Sequence, residues 1–539
     1  MRRHREFALV LILAMALRAM AVLVFRPGGY LGEMSDFGYY RLLLSMTNQG
    51  YYPLVHFWTE YPPVFPWLML GLYRLSLLIP PWVEPGTWFY LLLSTALVVV
   101  EAGNLIVLYA IGRRLYGNDE RAVRMCWIYA ALLIPIVILF GGFDGLALLF
   151  LLLAVLFTLD RRPIAAGAAA GVGFMTKLVP IAALPAAFLH LSRLSQRAKL
   201  LIATTLVVLL IAAPFLATGP DYLLQSLKSP VIRSTWETVW ALIDGYYSYG
   251  VAGGVDRFDP QMAGGAQHPT RLPWLVITTA FCLFYLYLFT RRVDWSDKRR
   301  VVAFTALTQN LLTLYFKGYS PQFLVMLLPF VLLLIPGWRK IAYVLLLSAV
   351  NLVEYPVYFV LLPDQHWLLA GTVLIRTVIL LILSGEYAAQ VYGWRVSERA
   401  WTRLAAGVTV VVIVLGLVGA VAGLQAYTQG RYEASPHRLA IDTLKAQAES
   451  GATVVVDDQT TYEQLYPFLR TRVNLAEVET FDYLPPWETR LADVIAGSSG
   501  PVWVYTPAES PIQAWMATRY GPLVTFELDS RRLIQWDTP

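Results

Sequence analysis

The sequence predicts a mainly α-helical, polytopic membrane bundle followed by a small α/β domain, and three observations predict it. Of 539 residues, 57% are hydrophobic and only 14% charged, against about 25% charged in an average soluble domain. The apolar residues come in blocks of about 15–25, the length that crosses a hydrocarbon core roughly 30 Å thick. Beyond about residue 425 the composition turns soluble, and short helical and β-rich runs alternate. An ordinary soluble enzyme is excluded. The formal net charge of +6 does not point to nucleic acid, because the basic residues stand in short clusters between apolar blocks rather than along one face; they read as topology signals.

The first block, Phe7 to Phe25, follows Arg2, Arg3 and Arg5. It exceeds a secretory h-region and lacks a small-x-small cleavage site, so it is expected to stay as the first span. Further spans are expected at about 87–111, 123–140, 144–159, 163–176, 179–192, 200–217, 273–290, 301–316, 322–336, 341–361, 367–385 and 404–424, about thirteen in all. A cytoplasmic N-terminus puts Arg113/Arg114/Arg121/Arg124, Arg161/Arg162, Arg193/Arg197/Lys199, Arg291/Arg292/Lys298/Arg299/Arg300, Arg339/Lys340 and Arg395/Arg399/Arg403 on the inner side, as the positive-inside rule requires. One block resists: Val64 to Ile79, bracketed by prolines. Counting it as a crossing would reverse every later loop, so it is expected as an interfacial helix carrying Trp67, Tyr73 and Arg74.

Two large outer loops result, about 26–86 and 218–272. The transmembrane domain spans 1–427 and an extracytoplasmic domain 428–539, with helices expected at 437–449, 460–470, 486–496 and 510–520 and strands at 453–456 and 502–505. That domain shows neither a Gly-rich phosphate loop nor a nucleophile elbow, and a supporting role is expected. The whole is an integral, multi-pass protein of a prokaryotic plasma membrane. Cys126 and Cys282 both lie in apolar blocks, and no disulfide is expected.

With topology fixed by charge alone, the chemistry-capable residues collect on the outer face. The first outer loop carries Asp36 with Tyr39 and Tyr40, then Trp58-Thr59-Glu60-Tyr61-Pro62-Pro63. Solvated acids beside an aromatic belt are the plain alternative. Asp144, after Gly142-Phe143, begins a span, where helix capping is the plain alternative. Lys177 stands at an outer helix end, where snorkelling is usual. Lys317-Gly318-Tyr319-Ser320-Pro321-Gln322 has the grammar of a helix start, with Ser320 as N-cap and Pro321 at the first helical position. A lysine beside free helix N–H groups is a ready anion site, and the anion at a membrane surface is a lipid phosphate. Four ionisable residues lie deeper: Arg18, Glu101, Glu354 and Arg376. Charges at that depth are paired or functional.

The order of these elements resembles the GT-C superfamily of integral-membrane glycosyltransferases, and is most similar to the branch using polyprenyl-phosphate sugars. The likeness covers about residues 1–190 well and 300–335 loosely, with Asp36 standing alone where family members show an acidic pair. The resemblance implies a GT-C-like bundle that moves a sugar from a polyprenyl-phosphate donor to an acceptor hydroxyl of a glycan, lipid or protein on the outer face, with inversion. It implies Asp36 as the catalytic base. Lys317, Ser320 and Gln322, with Lys177 or Arg18, would meet the departing phosphate. Glu60 and Asp144 would orient sugar hydroxyls, and Tyr39, Tyr40, Trp58 and Tyr61 would stack on sugar or lipid. The resemblance makes no cofactor certain, and a divalent cation, Mg²⁺ or Mn²⁺, is left open because no ligand spacing is diagnostic. Segment 246–265 would act as a lid against water. The rivals are a lipid-linked-sugar transporter or flippase, an enzyme moving a whole oligosaccharide or phospho-group, and a non-catalytic assembly subunit; against transport, no internal repeat is visible.

Overall fold

The computed structural model describes residues 4–26, 35–80, 84–132, 142–248, 250, 256–264, 268–394, 396–478 and 486–539. The chain divides into two compact units, Met1–Leu417 and Val418–Pro539. Both this boundary and the expected one at 427/428 fall inside one continuous helix, Glu398–Glu433.

The first unit is helical throughout its described residues. Its helices are α1 (Arg5–Val24), α2 (Ser35–Ser45), α3 (Val64–Ser76), α4 (Thr87–Tyr116), α5 (Asp119–Ala131), α6 (Asp144–Leu159), α7 (Pro163–Phe174) and α8 (Leu184–His190), the last entered through a 3₁₀ turn at Val179–Ala183. They continue as α9 (Leu194–Thr218), α10 (Pro220–Ile232), α11 (Val239–Asp244), α12 (Trp274–Thr290) and α13 (Lys298–Tyr315). Then come α14 (Leu324–Leu334), α15 (Arg339–Leu352), which runs on as a wider turn over Val353–Leu361, α16 (His366–Tyr392) and α17 (Glu398–Glu433).

Every apolar block expected as a span contains helix, but the helices are of two kinds. Among the described residues, six are long and apolar enough to cross a membrane: Arg5–Val24, Thr87–Tyr116, Leu194–Thr218, Arg339–Leu361, His366–Tyr392 and Glu398–Glu433. Others are shorter; α7, with 12 residues, is about 18 Å long at 1.5 Å per residue. Within the block 123–140, residues 133–140 lie outside the described part. α3 has 13 residues, too short to cross, and buries Phe65, Met69, Leu70 and Tyr73 on one face. α14 and α13 are buried on nearly all sides, which is why their sequences show no polar face.

Close packing follows from small residues. The stripe Ala166, Gly167, Ala170 and Gly171 lets α7 meet α9 backbone to backbone, so that a Cβ on Gly167 would lie 2.3 Å from the Leu200 carbonyl oxygen. Thr204 Oγ1 donates to the Gly167 carbonyl there at 3.1 Å. The deep ionisable residues pair as their cost demands: Arg18 with Glu101 at 4.0 Å, and Arg376 with Glu354.

The second unit is a sheet between two helical layers. After α18 (Arg438–Gln447) the chain alternates β1 (Thr453–Val456), α19 (Gln459–Leu469), β2 (Asn474–Glu477), α20 (Trp487–Ala496), β3 (Val502–Pro507), α21 (Pro511–Ala517), β4 (Pro522–Leu528) and β5 (Arg531–Trp536). The strand order is β2-β1-β3-β5-β4; the first three are parallel and β5 and β4 join antiparallel. The period-2 alternation sorts the faces. Val454, Val456, Trp503 and Tyr505 pack with Ile441, Leu444, Leu465 and Leu469, while Val455, Val502 and Val504 pack with Leu491, Ile495, Ile512 and Met516. The four helices and two strands expected from sequence are present within a few residues of their expected ends; β2, β4 and β5 were not expected.

Candidate active site

An aromatic second core holds the acidic residues. On α2 the residues Asp36, Tyr39 and Tyr40 lie three and four apart and share a face. Tyr40 is buried against Phe65 of α3, with ring centroids 5.5 Å apart, and Phe65 stacks on Phe143 at 3.7 Å. Tyr61 meets Phe143 edge-on at 4.6 Å and Tyr40 at 6.4 Å. Its position is fixed through its carbonyl, which accepts from Thr59 Oγ1 at 2.8 Å and from Ser226 Oγ of α10 at 2.9 Å. Pro62 and Pro63 then launch α3, whose Val64 N–H donates to the Met175 carbonyl at 3.1 Å. This last bond ties the loop to the segment that carries Lys177.

Asp144 is fully buried at the start of α6 and takes an ion pair from Lys177. It does not cap its helix; Phe143 occupies the cap position and offers no side-chain bond. Among the described residues, Asp144 Oδ2 has no hydrogen-bond partner. The Lys177 ammonium lies over the Phe323 ring at 3.9 Å and 5.5 Å from the Phe143 centroid, so aromatic faces hold it in place. Gln322 closes this side: a Cβ on Gly142 would stand 3.5 Å from Gln322 Cβ and 3.6 Å from Asp144 Oδ2.

Asp36 has no ion pair or hydrogen bond among the described residues, and its electrostatics are set by what surrounds it. Burial, then the charges of Asp144 and Glu60, push its pKa up to about 6, and Lys177 opposes them. Glu60 is paired with Arg257 at 2.5 Å. Arg257 also donates to the Tyr39 hydroxyl and lies 4.1 Å over the Trp58 ring. Trp58 returns two bonds, from its N–H to the Arg257 carbonyl at 3.0 Å and from Nε1 to the Asp256 carbonyl at 3.1 Å.

The end of the expected phosphate segment, Gln322 with Phe323, lies beside this group, whereas Lys317 stands by Trp274 and Asp244. Ser320 is extended and precedes a helical turn at Pro321–Phe323, but its hydroxyl makes no capping bond. It instead accepts from Trp236 Nε1 at 3.4 Å. Trp236 pairs with Gly318 as a parallel bridge, an approach only glycine permits, since a Cβ on Gly318 would fall 2.0 Å from the indole. Lys317 stands 4.9 Å from the Trp274 ring centroid, and burial lowers its pKa. Arg18 is not brought to this group. It is buried against Glu101, donating to the carbonyls of Ala14 and Ala130, because an unpaired guanidinium at that depth is too costly.

Sequence reasoning did not single out Arg233 and Arg257. Burial lowers the Arg233 pKa, and the charges of Glu60 and Tyr61 act the other way, so it stands in the same electrostatic field. A signal was present: arginine is disfavoured in outer loops, and both stand beside aromatic residues, at Arg257-Phe258 and Arg233-Ser234-Thr235-Trp236. In the expected lid, Tyr246 stacks on His268 at 4.0 Å and Tyr247 on His366 at 4.5 Å; Tyr249, 251–255 and 265–267 lie outside the described residues. Among the described residues, no three His, Cys, Asp or Glu side chains cluster closely enough to hold one metal ion.

A partly buried carboxylate with a raised pKa, a lysine acting on it and aromatic walls around it can accept a proton from a hydroxyl group. Residues 58–316 match the family model of glycosyltransferase family 87. The match takes in 259 of the 539 residues, just under half of the chain. The matched segment takes in Trp58 to Pro63, Asp144, Lys177, Arg233 and Arg257, and leaves out Asp36 and Lys317 to Gln322. Comparison with curated proteins finds no match. Among solved structures, the oligosaccharyltransferase of Archaeoglobus fulgidus aligns over 98% of this chain and 74% of its own. The form tethered to an acceptor peptide has 11% identity and a TM-score of 0.34, and the apo form 11% and 0.35. The complex with an inhibitory peptide and a dolichol-phosphate, with the same coverage, has 12% and 0.30.

Proposed function

We propose that this protein is a membrane glycosyltransferase that moves a sugar from a polyprenyl-phosphate donor to an acceptor hydroxyl of a glycan, lipid or protein, on the extracytoplasmic face of a prokaryotic plasma membrane, with inversion. The observation that carries the donor is an apolar groove of about 900 Å³ between α8–α9 and α12–α13, lined by Ile181, Leu184, Phe188, Phe281, Leu311 and Tyr315 among others. Its lining begins at Ile181, four residues after Lys177, and ends at Tyr315, two before Lys317. A chain lying in it would carry its phosphate toward the two lysines and its sugar toward Asp36.

Asp36 then takes the acceptor's proton as the hydroxyl attacks the anomeric carbon. Lys177 and Lys317, with the backbone of Ser320–Gln322, stabilise the phosphate as the glycosidic C–O bond breaks. Glu60, Asp144 and Arg257 orient sugar hydroxyls, and Trp58, Tyr39, Tyr40 and Tyr61 form the apolar wall. In this orientation the N-terminus is cytoplasmic and the C-terminal domain extracytoplasmic.

The groove supplies its own reporter. Cys282 is exposed and lines it, whereas Cys126 is buried. Labelling of Cys282 by a small apolar maleimide is expected to slow at least tenfold when undecaprenyl phosphate is added. Unchanged labelling at saturating lipid would remove the groove from the donor site.

A further inference from the structure

A second buried charge cluster stands behind the Lys317–Gln322 segment and takes no part in the mechanism above. Arg376 of α16 is paired with Glu354, donates to the Glu237 carbonyl, and lies 3.6 Å over the ring of Tyr319. One guanidinium thus touches the turn after α15, the second outer loop and the centre of the lysine segment. Glu237 and Glu354 are within hydrogen-bonding reach of each other. The side chains of Arg376, Glu354 and Glu237 are 5%, 0% and 2% exposed.

Among the described residues, three buried atoms of the cluster have no hydrogen-bond partner: Glu354 Oε1, Glu237 Oε2 and the Tyr319 hydroxyl. Glu354 Oε2 takes the arginine. The two carboxylates, if both ionised, repel each other. With both acids ionised the cluster carries one uncompensated negative charge in a buried setting, which is costly. A single proton shared between the two carboxyl groups relieves that repulsion and brings the cluster to neutrality. Burial and Glu354 raise the Glu237 pKa well above the carboxylate range, with Arg376 opposing. Tyr319 and Tyr358 are the other titratable groups facing Glu237.

The backbone shows what the cluster holds. Glu237 sits at φ +51°, a left-handed conformation that a non-glycine residue keeps only when its surroundings impose it. Its neighbour Trp236 exchanges two backbone bonds with the lysine segment: Trp236 N–H to the Lys317 carbonyl and Tyr319 N–H to the Trp236 carbonyl, each 3.1 Å.

We propose that Arg376, Glu354 and Glu237 form a proton-sharing triad that positions Lys317–Gln322 against the second outer loop. Arg376 is the positioning residue, Glu354 its fixed counter-ion, and Glu237 the protonated partner. The consequence for catalysis rests on reading that segment as phosphate-facing.

Two measurements on the full-length protein in detergent test it. Infrared difference spectra between wild type and Glu237→Gln at neutral pH are expected to show a protonated-carboxyl band lost in the variant; absence of that band overturns the shared proton. In hydrogen–deuterium exchange, Arg376→Met is expected to speed exchange in 235–240 and 317–323 at least tenfold while leaving Asp144–Leu159 unchanged. Glu237→Gln, which mimics the protonated acid, is expected to retain protection, and the double variant Glu237→Gln/Glu354→Gln to lose it as Arg376→Met does. Loss in Glu237→Gln alone, or equal loosening of Asp144–Leu159, overturns the triad. Farnesyl phosphate titration of Arg376→Met separates the two readings. Weakened binding supports both, and unchanged binding beside a loosened segment leaves the triad standing and removes 317–322 from the phosphate site.

Discussion

The pH dependence of turnover follows from the surroundings of Asp36. A base must be ionised to accept the acceptor's proton. With its pKa pushed up to about 6, roughly a tenth of Asp36 is ionised at about pH 5 and about nine-tenths at about pH 7. An unperturbed aspartate, at 3.8, would be more than nine-tenths ionised at about pH 5. Donor turnover at limiting concentration is therefore expected to fall about tenfold between pH 7 and pH 5, and tenfold per unit below that. The sign can be moved both ways. Asp144 raises the Asp36 pKa and Lys177 lowers it, so Asp144→Asn shifts the acid limb to lower pH and Lys177→Met shifts it to higher pH. The assay is the initial rate of sugar release from a short-chain polyprenyl-phosphate donor across about pH 4.5–8, corrected for folded fraction. An acid limb near pH 4, or one that survives in Asp36→Asn, would refute Asp36 as the base.

Three further outcomes are expected. Lys177→Met leaves the fully buried Asp144 without its counter-ion and should cost about 3–5 kcal/mol of stability, read as a lowered thermal midpoint that Lys177→Met/Asp144→Asn largely restores. Gly167→Ala forces a Cβ to 2.3 Å from the Leu200 carbonyl oxygen and should cost about 1–3 kcal/mol, whereas Gly416→Ala, with nothing within 4 Å, should be neutral in the same melt. In the C-terminal unit, Asp458 accepts from Thr461 N–H at 2.8 Å and from Arg531 at 2.7 Å. Against the effect of burial, these bonds hold its pKa down to about 2. Because the folded pKa is depressed, its contribution is present above about pH 4 and is lost as pH falls through about 2. Asp458→Ala should therefore weaken exchange protection of β1 and α19 at neutral pH, by about 1 kcal/mol for the lost cap, and make progressively less difference as pH falls through about 2.

Much of this molecule was legible because membranes impose strict rules. Apolar block length and arginine placement gave the helices and the grouping of Asp36, Glu60, Asp144 and Lys177. That grouping needed only that α2, the Trp58–Pro63 loop and the start of α6 be read as lying on one face. Partners across the fold were not legible. Arg18 looked available because nothing local neutralises it, and Glu101, which does, is 83 residues away in sequence. Arg257 reaches Glu60 across nearly two hundred residues. Ser320 had the grammar of a cap, yet tertiary contact with Trp236 claims its hydroxyl. In the second unit β4 and β5 were missed since Val524, Phe526 and Leu528 alternate only weakly and the turn at Asp529, at φ +52°, lacks the glycine that usually marks it.

The most direct test of lipid-phosphate sugar transfer is incubation of the purified full-length protein with a panel of radiolabelled short-chain polyprenyl-phosphate hexoses and pentoses, with Asp36→Asn as the control. Transfer, or slow release of free sugar from one donor, that vanishes in Asp36→Asn while binding of that donor persists is the expected result. No turnover and no binding of any donor in the panel by folded protein would contradict it.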